Sequence, residues 1–235
     1  MWLLTNDDGI DADGLAALRC CVPANTPTLV VAPARPCSEC GHSVTTGRPL
    51  QIQQRGPLAF AVDGTPADCV RVALHVLAPQ LQIPLKAVLS GINHGANLGV
   101  DIYLSGTVAA AREASLHGIP AIALSQYRHP DATLDWSTAP TWITHHLSAF
   151  LAHRSTTRGF WNVNLPALPN ASPPSLIYTL VDSLPLPLRF AREGDSVTYQ
   201  GDYHSRPRSA GSDVEACFSG HISASFVALE NDSPR

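Results

Sequence analysis

The 235-residue chain is short of charge, with Asp, Glu, Lys and Arg together making up 14% of it. Its formal net charge is −4, so it lacks the basic field that draws nucleic-acid polymers or acidic membranes. No apolar run reaches the roughly 20 residues of a membrane-spanning helix. No basic segment stands before the short apolar start. A cytoplasmic protein with no membrane partner is the expectation. Cysteine is too sparse for a disulfide framework in a chain this long: there are six. Cys37 and Cys40 form a single C-x-x-C, and no further pair of ligands at suitable spacing completes a zinc site. Cys20, Cys21 and Cys69 fall in apolar helical patterns and read as core filler. Internal repeats and long low-complexity segments are missing too. So is the lysine of the G-x-x-x-x-G-K-[ST] loop, which argues against an NTPase.

What the chain does have is apolar residues, 45% of the total, enough for a substantial core. The length suits one large domain or one domain with an appendage. Short β-rich runs over 2–5, 28–32, 86–90 and 120–125 alternate with helical patterns over 14–22, 66–77 and 105–117. The β runs are almost continuously apolar, as strands covered on both faces must be. The alternation predicts an α/β fold: a doubly wound, mostly parallel sheet with helices on both faces. Extended runs over 50–54 and 58–62 read as an inserted hairpin. A helix is expected over 138–153 and a strand over 160–164. Beyond Pro166 the chain becomes rich in proline, which breaks helices and central strands. There 178–181 and 196–200 read as a protruding hairpin, 211–219 as a short helix and 221–227 as a last strand. A core over 1–170 and a C-terminal extension over 171–235 follow.

Three loops after predicted strands carry more polar groups than a connector needs: Asn6-Asp7-Asp8-Gly9, residues 33–46 ("PARPCSECGHSVTT") and residues 91–99 ("GINHGANLG"). Parallel sheets bind ligands beyond the carboxyl ends of their strands, where all three can meet. Adjacent carboxylates repel unless a cation lies between them, and oxygen donors favour Mg²⁺, Mn²⁺ or Ca²⁺ over zinc. Asp7 and Asp8 alone serve equally well as a turn and helix cap. An EF-hand frame centred on Gly14 has Gly9 and Cys20 at its ends, so its acidic ligands are missing. The Asp-x-Asp of dehalogenase-type phosphatases does not fit either: directly after the strand the aspartates are adjacent, and Asp11-x-Asp13, which has the bare spacing, lies several residues beyond it. Receiver domains share the acidic pair, but they need an Asp ending a middle strand and a Lys ending a later one. Those strands end here in Ser90-Gly91 and Ser125. Ser105, Gly106 and Thr107 open a helix whose free N–H groups form an anion site. An oxygen-ligated metal beside such a site suggests metal-assisted phosphoryl transfer.

In order along the chain, "LLTNDDGIDADGL", "VVAPARPCSECGHSVT", "VDGTPADCV", "LSGINHGANLGVDIYLSGTVAAAREA" and "GIPAIALS" resemble the successive motifs of the SurE family of 5′-nucleotidases. "FWNVNLP" and "SDVEACFSGHIS" resemble its weaker later motifs. The resemblance implies a Rossmann-like core and a metal-dependent phosphatase acting on nucleoside 5′-monophosphates, in some members also on 3′-monophosphates and short polyphosphate. It implies one divalent ion, Mg²⁺ or Mn²⁺, on Asp7, Asp8, Ser38 and Asn93. It further implies a homodimer or homotetramer that exchanges C-terminal segments. Asp7 and Asp8 are the candidate catalytic residues, and Asn97, Ser105, Gly106 and Thr107 the candidate substrate residues. Two departures stand out. The metal loop reads Ser38-Glu39-Cys40-Gly41, where the family has glycine at the second position, so an extra carboxylate sits beside the site and opens a second reading, a binding-only member. After "GHIS" the chain reads "ASFVALEN" instead of the usual Thr-Pro-Leu. His42 and His94 lie in the site loops and read as solvent-facing or capping residues. His145 and His146 belong to a helix face, Arg112 and Glu113 to an exposed helix surface, and Asp68 to a helix start.

Overall fold

The computed structural model describes residues 1–129, 134–153, 157–167 and 173–229. The boundary expected near residue 170 lies outside them. β1 (Trp2–Thr5), β2 (Thr28–Pro33), β5 (Ala87–His94), β6 (Ala121–Gln126) and β7 (Gly159–Leu165) are the central strands of a nine-stranded sheet. The others are β3 (Ile52–Gly56), β4 (Ala59–Val62), β8 (Leu176–Tyr178) and β11 (Ile222–Ala228), and the order is β3-β4-β2-β1-β5-β6-β7-β11-β8. All pairs are parallel except β3 with β4 and β11 with β7.

Successive side chains of a strand point to opposite faces, so one apolar run feeds two cores. Leu3 joins Val31, Val88 and Phe60 beneath α2 (Pro66–Val72) and α4 (Gly106–Leu116). Leu4 joins Leu89, Leu124 and Val163 beneath α1 (Asp13–Cys21) and α5 (Ala139–Ala152). The expected doubly wound α/β architecture is therefore present. From β1 the chain winds first to β2 and β4, then returns to β5 and proceeds to β6 and β7. The reversal falls between β1 and β5, where the loops after neighbouring strands splay apart and leave a crevice.

Several local expectations need correction. The helix expected over 66–77 widens into a π turn (Ala73–Leu77) before a last turn, α3 (Ala78–Gln80). Pro79 has no N–H to donate to His75, so an α-helical bond is lost there. The strand near 178 joins the main sheet through β11, so the hairpin is instead β9 (Phe190–Glu193) with β10 (Ser196–Tyr199). Ile222 and Ala224 supply the buried face that draws β8 to β11. The short helix α6 (Asp213–Phe218) packs Val214 and Cys217 on Leu98 and Tyr127. Cys21 and Cys69 are buried, but Cys20 lies on the solvent face of α1. Glu113 is fully buried and Arg112 half-buried, because α4 is enclosed by α2 and the sheet.

Candidate active site

At the crevice, Asp7, Asp8, Ser38, Asn93, Asn97 and Ser105 line one cavity of about 300 Å³. Three chain segments far apart in sequence thus deliver the predicted polar groups to one place. β1 ends at Thr5, and Gly9 (φ 101°) turns the chain away after the two carboxylates. The Cys37 N–H donates to the Asp7 carbonyl at 2.7 Å, docking the loop that carries Ser38 onto this turn. The Asn93 amide nitrogen donates to the Gly95 carbonyl at 2.8 Å, which leaves its oxygen as the donor a cation would use.

Asp7 is 4% exposed. Its carboxylate accepts the Thr107 hydroxyl at 2.5 Å and the Thr107 N–H at 3.2 Å. Burial pushes its pKa up to about 6, the neighbouring Asp8 charge pushes the same way, and the Thr107 hydrogen bonds oppose both. A cation in this space would reverse that balance. Gly106 lets α4 approach: an added Cβ would lie 2.9 Å from both Asp7 Cβ and Cys40 Sγ. Asp8 is half-exposed, and its carboxylate has a long contact, 3.4 Å, from the His94 N–H.

The anion-site residues divide by role. Ser105 Oγ caps α4 by accepting from the Val108 N–H at 3.1 Å, and its own proton stays available to the cavity it lines. Thr107 is directed at Asp7, and Gly106 packs on Asp7; neither lines the cavity. The Asn97 amide nitrogen donates to Ser125 Oγ at 2.7 Å, and its backbone is fixed by Asn162 and Asn164.

The cavity also contains Asp101, Leu104, Leu186 and Tyr203, none of which stands out in the sequence, and they form its far wall. Glu39 and His94, from the two site loops, line it at other points. Asp101 Oδ2 accepts from Tyr203 Oη and from Arg206 Nη1, each at 2.8 Å. Gly99 N donates to Asp213 Oδ2 at 2.8 Å. The C-terminal segment is thereby strapped across the site. Tyr203 and Leu186 carried no local signal. Asp101 had one, an acidic residue between two site loops. Glu39 holds φ 55°, a left-handed conformation suited to glycine.

His42 is not in the cavity. Its Nε2 meets Glu113 Oε2 at 2.7 Å, and Arg71 Nε meets Oε1 at 2.5 Å, with His117 Nε2 3.1 Å away. This pins the Ser38 loop to α4. Asp68 is structural: its carboxylate accepts from the N–H groups of Thr65 and Thr45, closing a capping box at α2. Among the described residues no cluster of three or more His, Cys, Asp or Glu side chains is arranged to hold a metal. Cation binding here depends on two carboxylates and neutral oxygens. Nor is any helix among them long and apolar enough to cross a membrane.

Fold and site together define a Rossmann-like α/β protein with an acidic, oxygen-lined pocket at the switch point of its sheet. The model of the family Survival protein SurE matches residues 2–181, and the chain belongs to that family. The alr3139 protein of Nostoc sp. is 47% identical over 222 residues, covering 94% of this chain and 96% of the relative. A protein named 5′-nucleotidase SurE, from Paramagnetospirillum magneticum, is 38% identical over 235 residues, covering 97% and 89%. The crystal structure of the SurE protein from Aquifex aeolicus superposes with a TM-score of 0.85 at 31% identity, covering 98% of this chain and 94% of that one.

Proposed function

We propose that the protein is a divalent-metal-dependent phosphatase that hydrolyses nucleoside 5′-monophosphates to nucleoside and phosphate. One observation carries the metal requirement. Asp7, Asp8 and Glu39 line the cavity, Asp101 in its wall is already paired with Arg206, and no lysine or arginine lines the cavity among the described residues. A phosphate dianion cannot enter such a field unless a cation offsets it. The donor set of two carboxylates, an amide oxygen and a hydroxyl fits Mg²⁺ or Mn²⁺. Asp7, Asp8, Ser38 and Asn93 would hold the ion. When bound, it supplies the positive charge that admits phosphate and balances the charge developing during transfer.

The chain's own groups do the rest. Thr107 fixes the Asp7 carboxylate through two hydrogen bonds. The Ser105 hydroxyl, which lines the cavity, holds a phosphate oxygen. Asn97, anchored on Ser125, adds a polar contact. Asp8 is the carboxylate with capacity to accept the proton of the attacking water. Relatives named 5′-nucleotidase support the substrate class. Action on 3′-monophosphates and short polyphosphate belongs to the same proposal. So does a homodimer or homotetramer, supported by the exposed apolar side chains of Phe190, Val197 and Tyr199 on the hairpin and of Leu188 just before it. A cytoplasmic location fits six unpaired thiols.

A second reading, metal and nucleotide binding without turnover, rests on Glu39, whose charge adds to the cavity. Phosphate release from a nucleotide panel with Mg²⁺, Mn²⁺ or chelator separates the two. Turnover abolished by chelation supports the phosphatase; binding with no turnover in any metal supports the second reading.

A further inference from the structure

Beside the acidic cavity lies a larger cleft of about 600 Å³, which shares Asp8 and His94 with it as common walls. Asp101, Leu186 and Tyr203 form another wall of the acidic cavity. The shared border at Asp8 and His94 gives a ligand whose phosphate lies in the cavity a direct way into the cleft. We propose that this cleft holds the nucleoside of the substrate, with the base stacked on the indole of Trp136; the inference rests on the phosphatase reading above.

Trp136 is built as a fixed platform. It opens a 3₁₀ turn (Trp136–Thr138) whose Asp135 cap accepts the Ser137 N–H at 2.9 Å and the Thr138 hydroxyl at 3.0 Å. The indole packs on α1 where Gly14 leaves room, since an added Cβ would come within 3.3 Å of Trp136 Cη2. The imidazole of His94 lies 6.3 Å from the indole, tilted by 50°. The two rings are too close and too inclined to sandwich a base, so the base stacks on Trp136 and His94 sits at its sugar-side edge. A flat π face, sequence-tolerant in what it accepts, suits a heteroaromatic base. The cleft also contains Arg128 and the carboxylates of Asp8 and Asp13. Two carboxylates against one guanidinium make the cleft a poor place for a second phosphate and suit it to an uncharged nucleoside.

The test compares AMP with ribose 5-phosphate, which lacks the base. In Trp136→Ala the ratio of kcat/KM for AMP to that for ribose 5-phosphate falls at least about tenfold, through the KM for AMP, and Trp136→Phe restores it. A ratio unchanged in Trp136→Ala overturns the proposal. Equal losses on both substrates also overturn it, because they report a structural role only. Calorimetric titration with adenosine reads the cleft without turnover. Binding in the unaltered protein that is lost in Trp136→Ala supports the proposal; equal binding in both, or none at millimolar adenosine in either, refutes it. Failure of turnover with intact adenosine binding would count against the phosphatase reading alone.

Discussion

Replacing Glu113 by Gln is expected to destabilise the protein in a pH-dependent way. The Glu113 side chain is 1% exposed and meets His42, Arg71 and His117. Burial alone would raise its pKa; the hydrogen bonds from His42 and Arg71, the Arg71 charge and the His117 contact hold it down at about 2, against an ordinary 4.5. By linkage that gap is an upper limit of about 3 kcal/mol. Arg71 and His117 are 43% and 35% exposed, so solvent screening lowers the expectation to about 2 kcal/mol. For a chain of this size that corresponds to a Tm lower by about 4–8 °C at pH 7. The sign follows from the lowered pKa. The stabilisation is complete above about pH 4.5, is lost as pH falls toward 2, and so the gap between the two proteins narrows by pH 3.5. Urea denaturation at pH 7, 4.5 and 3.5 measures it. A gap below about 0.5 kcal/mol at pH 7, or one independent of pH, would refute the reasoning.

Other expectations follow from the site and its supports. Thr107→Val removes the hydroxyl bound to Asp7, and activity or metal affinity should fall about 10- to 100-fold, with Thr107→Ser restoring it in the same kinetic assay. Arg206→Leu strands Asp101 in the cavity wall; with the two side chains 1% and 12% exposed, the loss is about 3 kcal/mol, read as a lower urea midpoint. Glu39→Gly relieves the left-handed backbone and should gain up to about 1 kcal/mol. It should also lower the KM for AMP by removing a carboxylate from the cavity, and a less stable variant with an unchanged KM would contradict both arguments.

The parallel core was legible because its strands are short apolar runs and two of its helices, α2 and α4, carry side-chain caps at Thr65 and Ser105. Asp7, Asp8, Ser38, Asn93 and Ser105 were legible for a related reason: polar loops after parallel strands converge at one sheet edge, and here they line one cavity. Long-range partnership was not legible. "AAAREA" reads as a solvent-facing stretch, yet Glu113 meets His42 across 71 positions of sequence. Asp101 and Arg206 are 105 apart, and nothing in the Pro-rich extension announces that it closes a pocket wall. The roles of Thr107 and Gly106 changed for the same reason. A helix N-terminus suggests an anion, but sequence does not show that these two groups face a carboxylate. The hairpin was misassigned because two equally short β-rich runs competed, and the buried face of β11 decided between them.

The central claim is that the acidic cavity turns over phosphate monoesters only with a cation. The most direct measurement is the initial rate of phosphate release from AMP by metal-stripped protein titrated with Mn²⁺, for the unaltered chain, Asp7→Asn and Asp8→Asn. The account predicts no turnover without metal, a saturable rise with it, and a loss of at least about 10²-fold in each variant. Full turnover in the presence of chelator, or near-normal metal-dependent rates in both variants, would contradict it.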